Sequence, residues 1–380
     1  MTENSKLLSL PGDLLKSISD PFVGREEEAK TIVLALLSRE HLLLIGEPGT
    51  AKSALVRRAS SLIKARFFKY LLTRYTEPSE LFGPLDIVAL QQGEYKRITA
   101  NKLPEAEIAF LDEIFNANSA ILNTLLTLLQ ERIIYDGYTE LRVPLWCLFA
   151  ATNRVPDDPE LDALYDRFTL RHKVSPVPEN KWDKLLEASW KLEIIDYMNV
   201  PAITTLKDIE RIHHMLFKVN IENIKNKLFK ILAVLEDKGL HLSDRRKGKA
   251  LKIIAAHALL NGRLEAIEED LMALKYVAPS DPDDFERVNI ILSEELKTTE
   301  RIIRELNEIE NNLRDVASLI EDMKNYDPRL IEIYRSLKIT RNRVLGMQRD
   351  VENENIMILI NDILVQIDKL LARISSKLGM

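Results

Sequence analysis

Short apolar runs alternate with segments of helical spacing between Pro21 and about Val177. The runs HLLLIG, EIAFLDE and LWCLFAATN are apolar almost throughout, whereas helical spacing begins at Ser53 and returns in SAILNTLLTLLQER. Strands of a parallel sheet are apolar on both sides because helices cover both of its faces. The pattern therefore predicts an α/β fold, with a parallel sheet and helices on both faces.

Two further segments have the pattern of antiparallel hairpins. In RIIYDGYTELRV, β-branched and aromatic residues flank Asp136 and Gly137, a strong signal for a two-residue turn. We expect this hairpin to project from the sheet domain. A weaker candidate is IVALQQGEYKRIT, which is centred on Gly93.

The pattern changes after SPVPEN, because nearly every segment from Lys181 to about Tyr276 has helical spacing and few glycines. A second boundary falls at APSDPDD, where prolines and polar residues interrupt the spacing. We therefore predict an α/β domain over residues 1–178, an all-helical lid domain over 179–280 and a long helical region over 281–380.

The third region predicts long helices. Apolar residues recur there at alternating spacings of four and three, namely Ile302, Leu306, Ile309, Leu313, Val316, Ile320 and Met323. This spacing is typical of a coiled coil or a long helical hairpin. NYDPR breaks it near Pro328, and helical spacing then resumes as far as Ile374. The apolar stripe fits either packing against a helix of the same chain or a groove for another protein.

Composition narrows the class of protein. The chain has 53 Lys and Arg against 59 Asp and Glu, a formal net charge of -6, which argues against coating nucleic acid through bulk charge. Binding of nucleic acid by a local basic patch is still compatible with this composition. Cys147 is the single cysteine, so an intrachain disulfide and a thiolate zinc cluster are excluded. Neither a signal peptide nor an apolar run of membrane length is evident, and we expect a cytoplasmic protein without membrane insertion.

The segment GEPGTAKS, at positions 46 to 53, nearly matches the phosphate-binding pattern G-x-x-x-x-G-K-[ST]. It differs at Ala51, where the pattern has glycine. In such loops backbone N–H groups surround the β-phosphate, the lysine reaches the β and γ oxygens, and the next hydroxyl binds magnesium. Lys52 and Ser53 hold those places. If position 51 needs a positive φ, the alanine Cβ costs on the order of 1–2 kcal/mol, which bound nucleotide can offset.

Polar residues follow two of the apolar runs. Asp112 and Glu113 end EIAFLDE, and Asn153 ends LWCLFAATN. Ligands of open parallel sheets bind at the carboxyl ends of the strands. We predict that Asp112 holds magnesium and that Glu113 orients and deprotonates a water aimed at the γ-phosphate. Asn153 could hold that water or contact the γ-phosphate. The alternative is that it has no role in the site and only forms the turn after the strand.

Two arginines lie four residues apart in DALYDRFTLR, which we interpret as a short helix. Either Arg167 or Arg171 can reach the γ-phosphate of a neighbouring subunit as an arginine finger. Without an oligomer, Arg167 is a solvated surface charge.

A second pair of arginines starts a helix in HLSDRRKGKALK. Ser243 or Asp244 is the predicted N-cap, with Arg245 and Arg246 near the first turn. A guanidinium group at this end opposes the helix dipole, so a phosphate partner would explain its presence. The sequence does not decide which of the two arginines contacts it.

These parts, in this order, resemble the AAA+ ATPases and, within them, the MoxR family, particularly its RavA-like branch. The resemblance covers roughly residues 15–280 and rests on DPFVGREEEAK, GEPGTAKSALV, ELFGPLDI, IAFLDEIFNANSAILNTLLTLLQER, ATNRVPDDPELDALYDRF and LSDRR. The family commonly has alanine before the loop lysine, so the resemblance implies that nucleotide binding survives at Ala51. Glu47 is a departure, because the family usually has proline there; it adds a carboxylate near the phosphates.

The resemblance also implies the site residues for ATP or ADP and magnesium. Walker A would comprise Gly46, Glu47, Pro48, Gly49, Thr50, Ala51, Lys52 and Ser53, followed by Ala54. The remaining residues would be Asp112 and Glu113 of Walker B, Asn153 as sensor 1, Arg167 as the finger, Arg245 as sensor 2, and Val23 and Gly24 beside the adenine. The GPLDI and QQGEYKRIT segments resemble the insert within helix 2 of this clade.

The implied function is magnesium-dependent ATP hydrolysis by a homo-oligomer, a ring of six, that remodels client proteins or helps to assemble them. A monomer should hydrolyse poorly because Arg167 would serve the next subunit. Family members typically work with a protein carrying a von Willebrand factor A domain. This chain lacks the D-x-S-x-S motif of that domain, so the partner would be another chain.

Two alternatives stay open. A nucleic-acid motor draws support from Lys96 and Arg97 beside one predicted hairpin, from Arg132 and Arg142 beside the other, and from the segment RRKGK, but the acidic balance argues against it. The other alternative is the motor subunit of a metal-chelatase-like complex, which would require a large porphyrin-binding partner.

Overall fold

A computed structural model describes residues 3–136, 139–155, 158–194, 200–296, 299–323, 327–348 and 354–378 of the chain. The chain divides into two compact units, Met1–Leu292 and Ser293–Met380. The predicted domain boundaries after residues 178 and 280 stay predictions.

The first unit contains seven strands among its described residues. In chain order they are β1 (Leu42–Ile45), β2 (Phe67–Leu71), β3 (Ile108–Asp112), β4 (Ile133–Asp136), β5 (Thr139–Arg142), β6 (Cys147–Thr152) and β7 (Leu170–Lys173). Five of them form one sheet in the order β2-β3-β6-β1-β7, and every neighbouring pair in it is parallel. The predicted parallel sheet is confirmed.

The helices of this first unit cover the sheet and continue beyond it. They are α1 (Glu3–Ser19), α2 (Glu26–Ser38), α3 (Lys52–Ile63), α4 (Pro78–Phe82), α5 (Ile87–Gln91), α6 (Ser119–Glu131), α7 (Pro159–Tyr165), α8 (Trp182–Ile194), α9 (Leu206–Leu216), α10 (Glu222–Asp237) and α11 (Asp244–Leu260). A 3-10 helix follows at Glu268–Tyr276, and α12 spans Asp284–Glu295, so its last three residues belong to the second unit.

Alternate side chains of the interior strands point to opposite faces of the sheet. On one face, Leu111 of β3 and Leu148 of β6 pack in a buried cluster with Ile121 and Leu125 of α6. On the other face, Cys147 donates a hydrogen bond to a backbone carbonyl of α2 over 3.2 Å. Both faces are therefore covered, which is why β1 and β6 are buried along their whole length.

The structure confirms one predicted hairpin and corrects the other. Strands β4 and β5 are antiparallel, although the predicted turn residue Gly137 lies outside the described residues. The segment around Gly93 is not a strand hairpin, because residues Ile87–Gln91 form α5. Asp86 caps that helix by accepting hydrogen bonds from the N–H groups of the second and third helical residues. An isolated antiparallel bridge between Leu85 and Arg97 is all the described pairing there.

The structure also corrects the prediction that Arg167 and Arg171 share a short helix. Arg171 does not lie on a helix with Arg167, since it belongs to β7 and is 1% exposed. Its guanidinium group donates to the carbonyl oxygens of Pro279 (2.7 Å) and Tyr165 (2.9 Å). These bonds engage both terminal nitrogens of the buried cation, which also lies over the ring of Tyr165 at 3.7 Å, whereas its Nε has no hydrogen-bond partner among the described residues. Arg171 therefore serves the fold, and the assignment of Arg167 as the finger stays a prediction.

Ion pairs with a buried carboxylate attach helix α11 to the sheet domain. Glu40, which precedes β1, pairs with Lys249 at 2.7 Å and with Lys252 at 2.6 Å. Burial alone would raise the pKa of Glu40, but the two lysines outweigh it and lower the pKa to about 2. The charged form of this group therefore stabilises the attachment of α11.

The second unit consists of three long helices in its described part, α13 (Thr299–Asp322), α14 (Arg329–Gln348) and α15 (Glu354–Leu378). They share one apolar core, to which α13 contributes Ile302, Leu306, Ile309, Leu313 and Ile320. The predicted seam thus packs against helices of the same chain. None of the helices in the described part of the chain has the length and apolarity needed to cross a membrane.

Candidate functional site

Three predicted parts of the site meet at the carboxyl edge of the sheet. The Gly46–Ser53 loop follows β1, Asp112 ends β3, and Asn153 follows β6, which lies between β1 and β3. The N–H group of Gly46 donates to the carbonyl oxygen of Thr152 over 3.0 Å and so ties the loop to the end of β6. The topology therefore brings these residues together, as expected for a ligand edge.

The backbone of the loop is tightly constrained. A Cβ atom at Gly46 would lie 2.3 Å from the carbonyl oxygen of Val174, so only glycine fits there. Gly49 has a φ of 81° and Ala51 a φ of 63°, both in the left-handed region. The condition stated in the sequence analysis is therefore met: position 51 has a positive φ, and its Cβ costs on the order of 1–2 kcal/mol. Helix α3 begins directly after it, at Lys52.

Lys52 is buried against the loop that it follows. Its Nζ donates to the carbonyl oxygens of Gly46 and Glu47, each over 2.7 Å, and contacts the hydroxyl of Thr50 at 3.3 Å. Burial lowers the pKa of Lys52, while the charges of Asp112 and Glu113 act in the opposite direction. Both carboxylates therefore lie within electrostatic reach of the ammonium group.

The two acids leave β3 through a strained turn. Glu113 has a φ of 53°, in the left-handed region, and its N–H group donates to a carboxylate oxygen of Asp112 over 3.2 Å. Such strain costs on the order of 1–3 kcal/mol and is found most often at functional sites. Because the chain turns at Glu113, the two carboxylates occupy different positions at the edge. Ser53 lies in the first turn of α3.

A cleft of about 510 Å³ opens beside the loop. The loop and α3 contribute Glu47, Pro48, Gly49, Thr50, Ala51 and Ala54 to its wall. The opposite wall is mainly apolar and includes Pro21, Phe22, Val23, Val177, Trp182, Leu185 and Leu192. Gly24, with a φ of 69°, directly follows Val23 and approaches Val177. We call this space the loop cleft; it has room for an apolar ring next to a charged group.

Asn153 lines a second cavity, of about 380 Å³, next to the start of the loop. Gly46 and Glu47 line it together with Lys173 and Arg154. Asn153 is exposed, and so is Glu47, which borders both cavities. The amide of Asn153 thus lies beside the start of the loop.

Two residues of the loop cleft were missed from the sequence. Arg25 is 6% exposed, donates to Glu28 over 2.9 Å and to the carbonyl oxygen of Ser175 over 2.8 Å, and acts electrostatically on Lys52. Trp182 begins α8 and donates its Nε1–H to the carbonyl oxygen of Val177. The position of Arg25 directly after Gly24 was the one local signal, since a charge in VGREEEAK otherwise resembles a solvated residue.

Arg167 lies at the opposite edge of the sheet. It precedes β7, which runs parallel to β1, with Leu170 opposite Leu42 and Lys173 opposite Ile45. Strands rise roughly 3.3 Å per residue, so four-residue strands separate the two edges by about 10 Å. Arg167 is therefore at the amino edge, and the structure does not bring it to the loop of its own chain.

Arg245 lies beside Arg167 rather than beside the loop. Both donate to the side-chain oxygen of Gln130, Arg167 over 3.1 Å and Arg245 over 3.4 Å. Arg245 also pairs with Asp166 at 3.5 Å, and Ser243 is the N-cap of α11, as one of the two predicted caps. The predicted contact of Arg245 with nucleotide stays a prediction.

Arg246 has a different environment from Arg245. It is 4% exposed and donates to the carbonyl oxygens of Val277 and Pro279, each over 3.1 Å, and to the hydroxyl of Ser280 over 2.9 Å. These bonds hold the segment after the 3-10 helix. Of the two arginines, Arg245 is therefore the one with an accessible guanidinium group, since its side chain is 32% exposed.

Comparison with known proteins gives the following matches. A family model described as the MoxR domain of MoxR-vWA-beta-propeller ternary systems matches residues 10–216, and a model of the AAA lid domain matches residues 218–292. An uncharacterized protein of Methanocaldococcus jannaschii is 39% identical over 72% of this chain and 73% of its own length. A second one from that organism is 38% identical over 84% of each chain.

Two more distant similarities agree with these. The chaperone MoxR1 of Mycobacterium tuberculosis is 28% identical over 42% of this chain and 43% of its own length. A solved structure described as a candidate ATPase from Cytophaga hutchinsonii has a TM-score of 0.64, with 18% identity, over 78% of this chain and 97% of that one. At this identity the structural similarity bears on the fold alone.

Proposed function

The chain belongs to the MoxR family of AAA+ ATPases, and we propose that it hydrolyses ATP with magnesium in a cytoplasmic homo-oligomeric ring of six. The ring would remodel client proteins or help to assemble them. The observation that carries this proposal is the strand order, which brings the loop with Lys52, after β1, and Asp112 and Glu113, at the end of β3, to the same carboxyl edge of the sheet. A cation and two acids are the groups that phosphoryl transfer requires there.

ATP would occupy the loop and the loop cleft. The N–H groups of the Gly46–Ser53 loop and the first turn of α3 would bind the phosphates, because a helix N-terminus favours anions. Lys52 supplies the positive charge at this end of the loop. Val23, Gly24 and Trp182 would border the adenine, since their part of the cleft is mainly apolar.

The residues present fit a magnesium ion. Ser53 offers a hydroxyl oxygen and Asp112 a carboxylate oxygen, and magnesium prefers oxygen ligands. We propose these two residues as its protein ligands. Bound magnesium would reduce the negative charge on the β- and γ-phosphates.

Glu113 would act as the general base. Its carboxylate accepts a proton from the water that attacks the γ-phosphorus, and the bond between that phosphorus and the β–γ bridging oxygen breaks. The products are ADP and inorganic phosphate. Asn153 would orient the water, because its amide lies beside the loop at the same edge.

A neighbouring subunit would complete the site. Arg167 and Arg245 lie together at the amino edge, opposite the loop of their own chain. We therefore propose that Arg167 is an arginine finger and Arg245 a sensor 2 residue for the ATP of the next subunit. This arrangement is the reason for proposing an oligomer.

The partner would be a separate protein with a von Willebrand factor A domain. The description of the matching family model names systems in which MoxR proteins occur with such a protein. This supports a client-directed role for the ring rather than an isolated ATPase.

The nucleic-acid alternative loses part of its support. Arg132 donates to the carbonyl oxygens of Leu145 (2.9 Å) and Arg39 (3.1 Å), and Arg97 donates to that of Gly83 over 3.0 Å. Two of the basic residues that favoured a nucleic-acid motor therefore bind the chain's own backbone.

Phosphate release from ATP, measured over a range of protein concentrations, tests the proposal. We expect activity that requires magnesium and whose specific rate rises with protein concentration, because each site needs two subunits. Absence of hydrolysis at every concentration, or a specific rate independent of concentration in a protein that stays monomeric, would contradict it.

A further inference from the structure

Two guanidinium groups flank one carboxylate at the amino edge of the sheet, and a third belongs to the next residue in the chain. Asp166 lies 3.5 Å from Arg245 and 3.6 Å from Arg246. Arg167, the next residue in the chain, has no carboxylate within ion-pair distance among the described residues. The cluster therefore carries an excess of positive charge, and its two accessible members must be held against their mutual repulsion.

Gln130 is the side chain that Arg167 and Arg245 share, while Arg167 also donates to the carbonyl oxygen of Ala163 over 2.8 Å. The side-chain oxygen of Gln130 accepts hydrogen bonds from a terminal nitrogen of Arg167 over 3.1 Å and of Arg245 over 3.4 Å. Two nitrogens bound to one oxygen lie no more than about 6.5 Å apart. Burial lowers the pKa of Arg167, and the charge of Arg245 lowers it further. The two cations thus repel each other while they share one neutral acceptor.

The side chain of Gln130 makes no other hydrogen bond that would explain its presence in the described structure. It is exposed near the end of α6, and the structure gives its side chain no further hydrogen bond among the described residues. The end of α6 is fixed independently, because Arg132 donates to the carbonyl oxygens of Leu145 and Arg39. Loss of the Gln130 amide should therefore leave the helix in place.

We propose that Gln130 is a positioning residue that sets the spacing of Arg167 and Arg245, so that both enter the site of the neighbouring subunit as one unit. The inference rests on the proposed function. A neutral amide suits this task better than a carboxylate would. It orients both guanidinium groups and leaves their charge available to phosphate, whereas a carboxylate would neutralise them and compete with it.

The test uses Gln130→Leu, which keeps the size of the side chain and removes the acceptor. We expect kcat to fall about tenfold or more, because misplaced catalytic groups commonly cost one to two orders of magnitude. The Kd of the variant for ATP and its Tm should stay at the wild-type values, since its own loop lies at the other edge. Gln92→Leu, at an exposed glutamine in the segment after α5, is the matched control and should keep the wild-type kcat.

Mixing experiments separate positioning from folding. A Gln130→Leu subunit keeps its own ATP site, and a Lys52→Ala subunit keeps its arginines, so mixtures of the two should recover activity. Combining Gln130→Leu with Arg167→Ala should cost little more than Arg167→Ala alone, because the two residues act as a unit. Wild-type kcat in Gln130→Leu, or a loss that mixing does not recover, overturns the inference.

Arg167→Ala distinguishes this inference from the proposed function. If that variant loses activity while Gln130→Leu keeps it, Gln130 is not a positioning residue and the finger stands. If Arg167→Ala keeps wild-type activity, the proposed contact between subunits fails and the inference fails with it.

Discussion

The ammonium group of Lys52 and the carboxylate of Asp112 lie within electrostatic reach of each other, although they follow different strands. Burial lowers the pKa of Lys52, and Asp112 is the strongest influence in the opposite direction. Strand β6 lies between β1 and β3, so this proximity results from the order of strands and not from the local sequence. It is the geometric basis for the first two predictions.

Lys52→Ala should abolish ATP binding. The change removes the cation that faces the phosphates and also the bonds from Nζ to the carbonyl oxygens of Gly46 and Glu47. Equilibrium binding of a fluorescent ATP analogue measures the effect. Lys69→Ala, at an exposed lysine of β2, should bind as the wild type does. Retention of ATP affinity in Lys52→Ala would refute the assignment of the loop.

Glu113→Gln should keep ATP affinity and lose turnover. A positioned general base contributes roughly 10² to 10⁴ in rate, so hydrolysis should fall by at least about 100-fold. Parallel measurements of ATP binding and phosphate release check this, with Glu94→Gln as an exposed control. Normal turnover in Glu113→Gln would show that another group accepts the proton.

Ala51→Gly should stabilise the protein, whereas glycine normally destabilises the interior of a helix. At a φ of 63° the Cβ of Ala51 costs on the order of 1–2 kcal/mol, which glycine would relieve. Glycine also has more entropy in the unfolded chain, and this cancels about 0.5–1 kcal/mol of the stabilisation. The free energy of unfolding should therefore rise by up to about 1 kcal/mol. Ala54→Gly, within α3, should lower it by about 1 kcal/mol. Equal losses in both variants would contradict the left-handed conformation at position 51.

Arg167→Ala and Lys52→Ala subunits should each be nearly inactive alone and active when mixed. Finger arginines are worth on the order of 10³ or more in kcat. In a mixture, the intact loop of one variant meets the intact arginine of the other. Phosphate release as a function of mixing ratio should pass through a maximum. A flat line at the level of the separate variants speaks against a finger that acts between subunits.

Acid should weaken the attachment of α11 through Glu40. The pKa of this group is about 2 in the folded protein, below the ordinary value of 4.5, so its contribution is complete above pH 4.5 and is lost as the pH falls towards 2. The shift corresponds to about 3 kcal/mol.

Glu40→Gln should remove this part of the pH dependence. Urea unfolding at pH 7 and at pH 3 measures it, and the difference between the two pH values should be smaller in Glu40→Gln than in the wild type. Glu210→Gln, at an exposed position of α9, should leave the difference unchanged. An unchanged difference in Glu40→Gln would mean that the carboxylate is not held in its charged form by Lys249 and Lys252.

The parts of the fold that follow from local pattern were predictable. Strands β1, β3 and β6 are apolar throughout because both of their faces are buried, and this signal is read directly from the chain. Strand β7 was missed because it contains Arg171 and His172, whose partners are distant. Arg171 binds the carbonyl oxygen of Pro279, and His172 lies 3.8 Å from Glu28. No local pattern indicates such partners.

The same distinction applies to the site. The loop, the two acids and Asn153 end predicted strands, so their edge could be deduced from the chirality and order common to parallel sheets. Arg25 and Gln130 were missed, since in the sequence each resembles an ordinary solvated residue. Their roles depend on Ser175 and on Arg245, which only the folded chain brings near.

The separation of the Gly46–Ser53 loop from Arg167 and Arg245, at opposite edges of one sheet, has a consequence for mixed populations of molecules. In the proposed ring each chain contributes halves to two reaction centres. A subunit with a defective loop or a defective pair of arginines inactivates one ATP site of the ring. A subunit with both defects inactivates two sites, although it occupies only one position in the ring. Defective copies of the second kind would therefore act dominantly over intact ones.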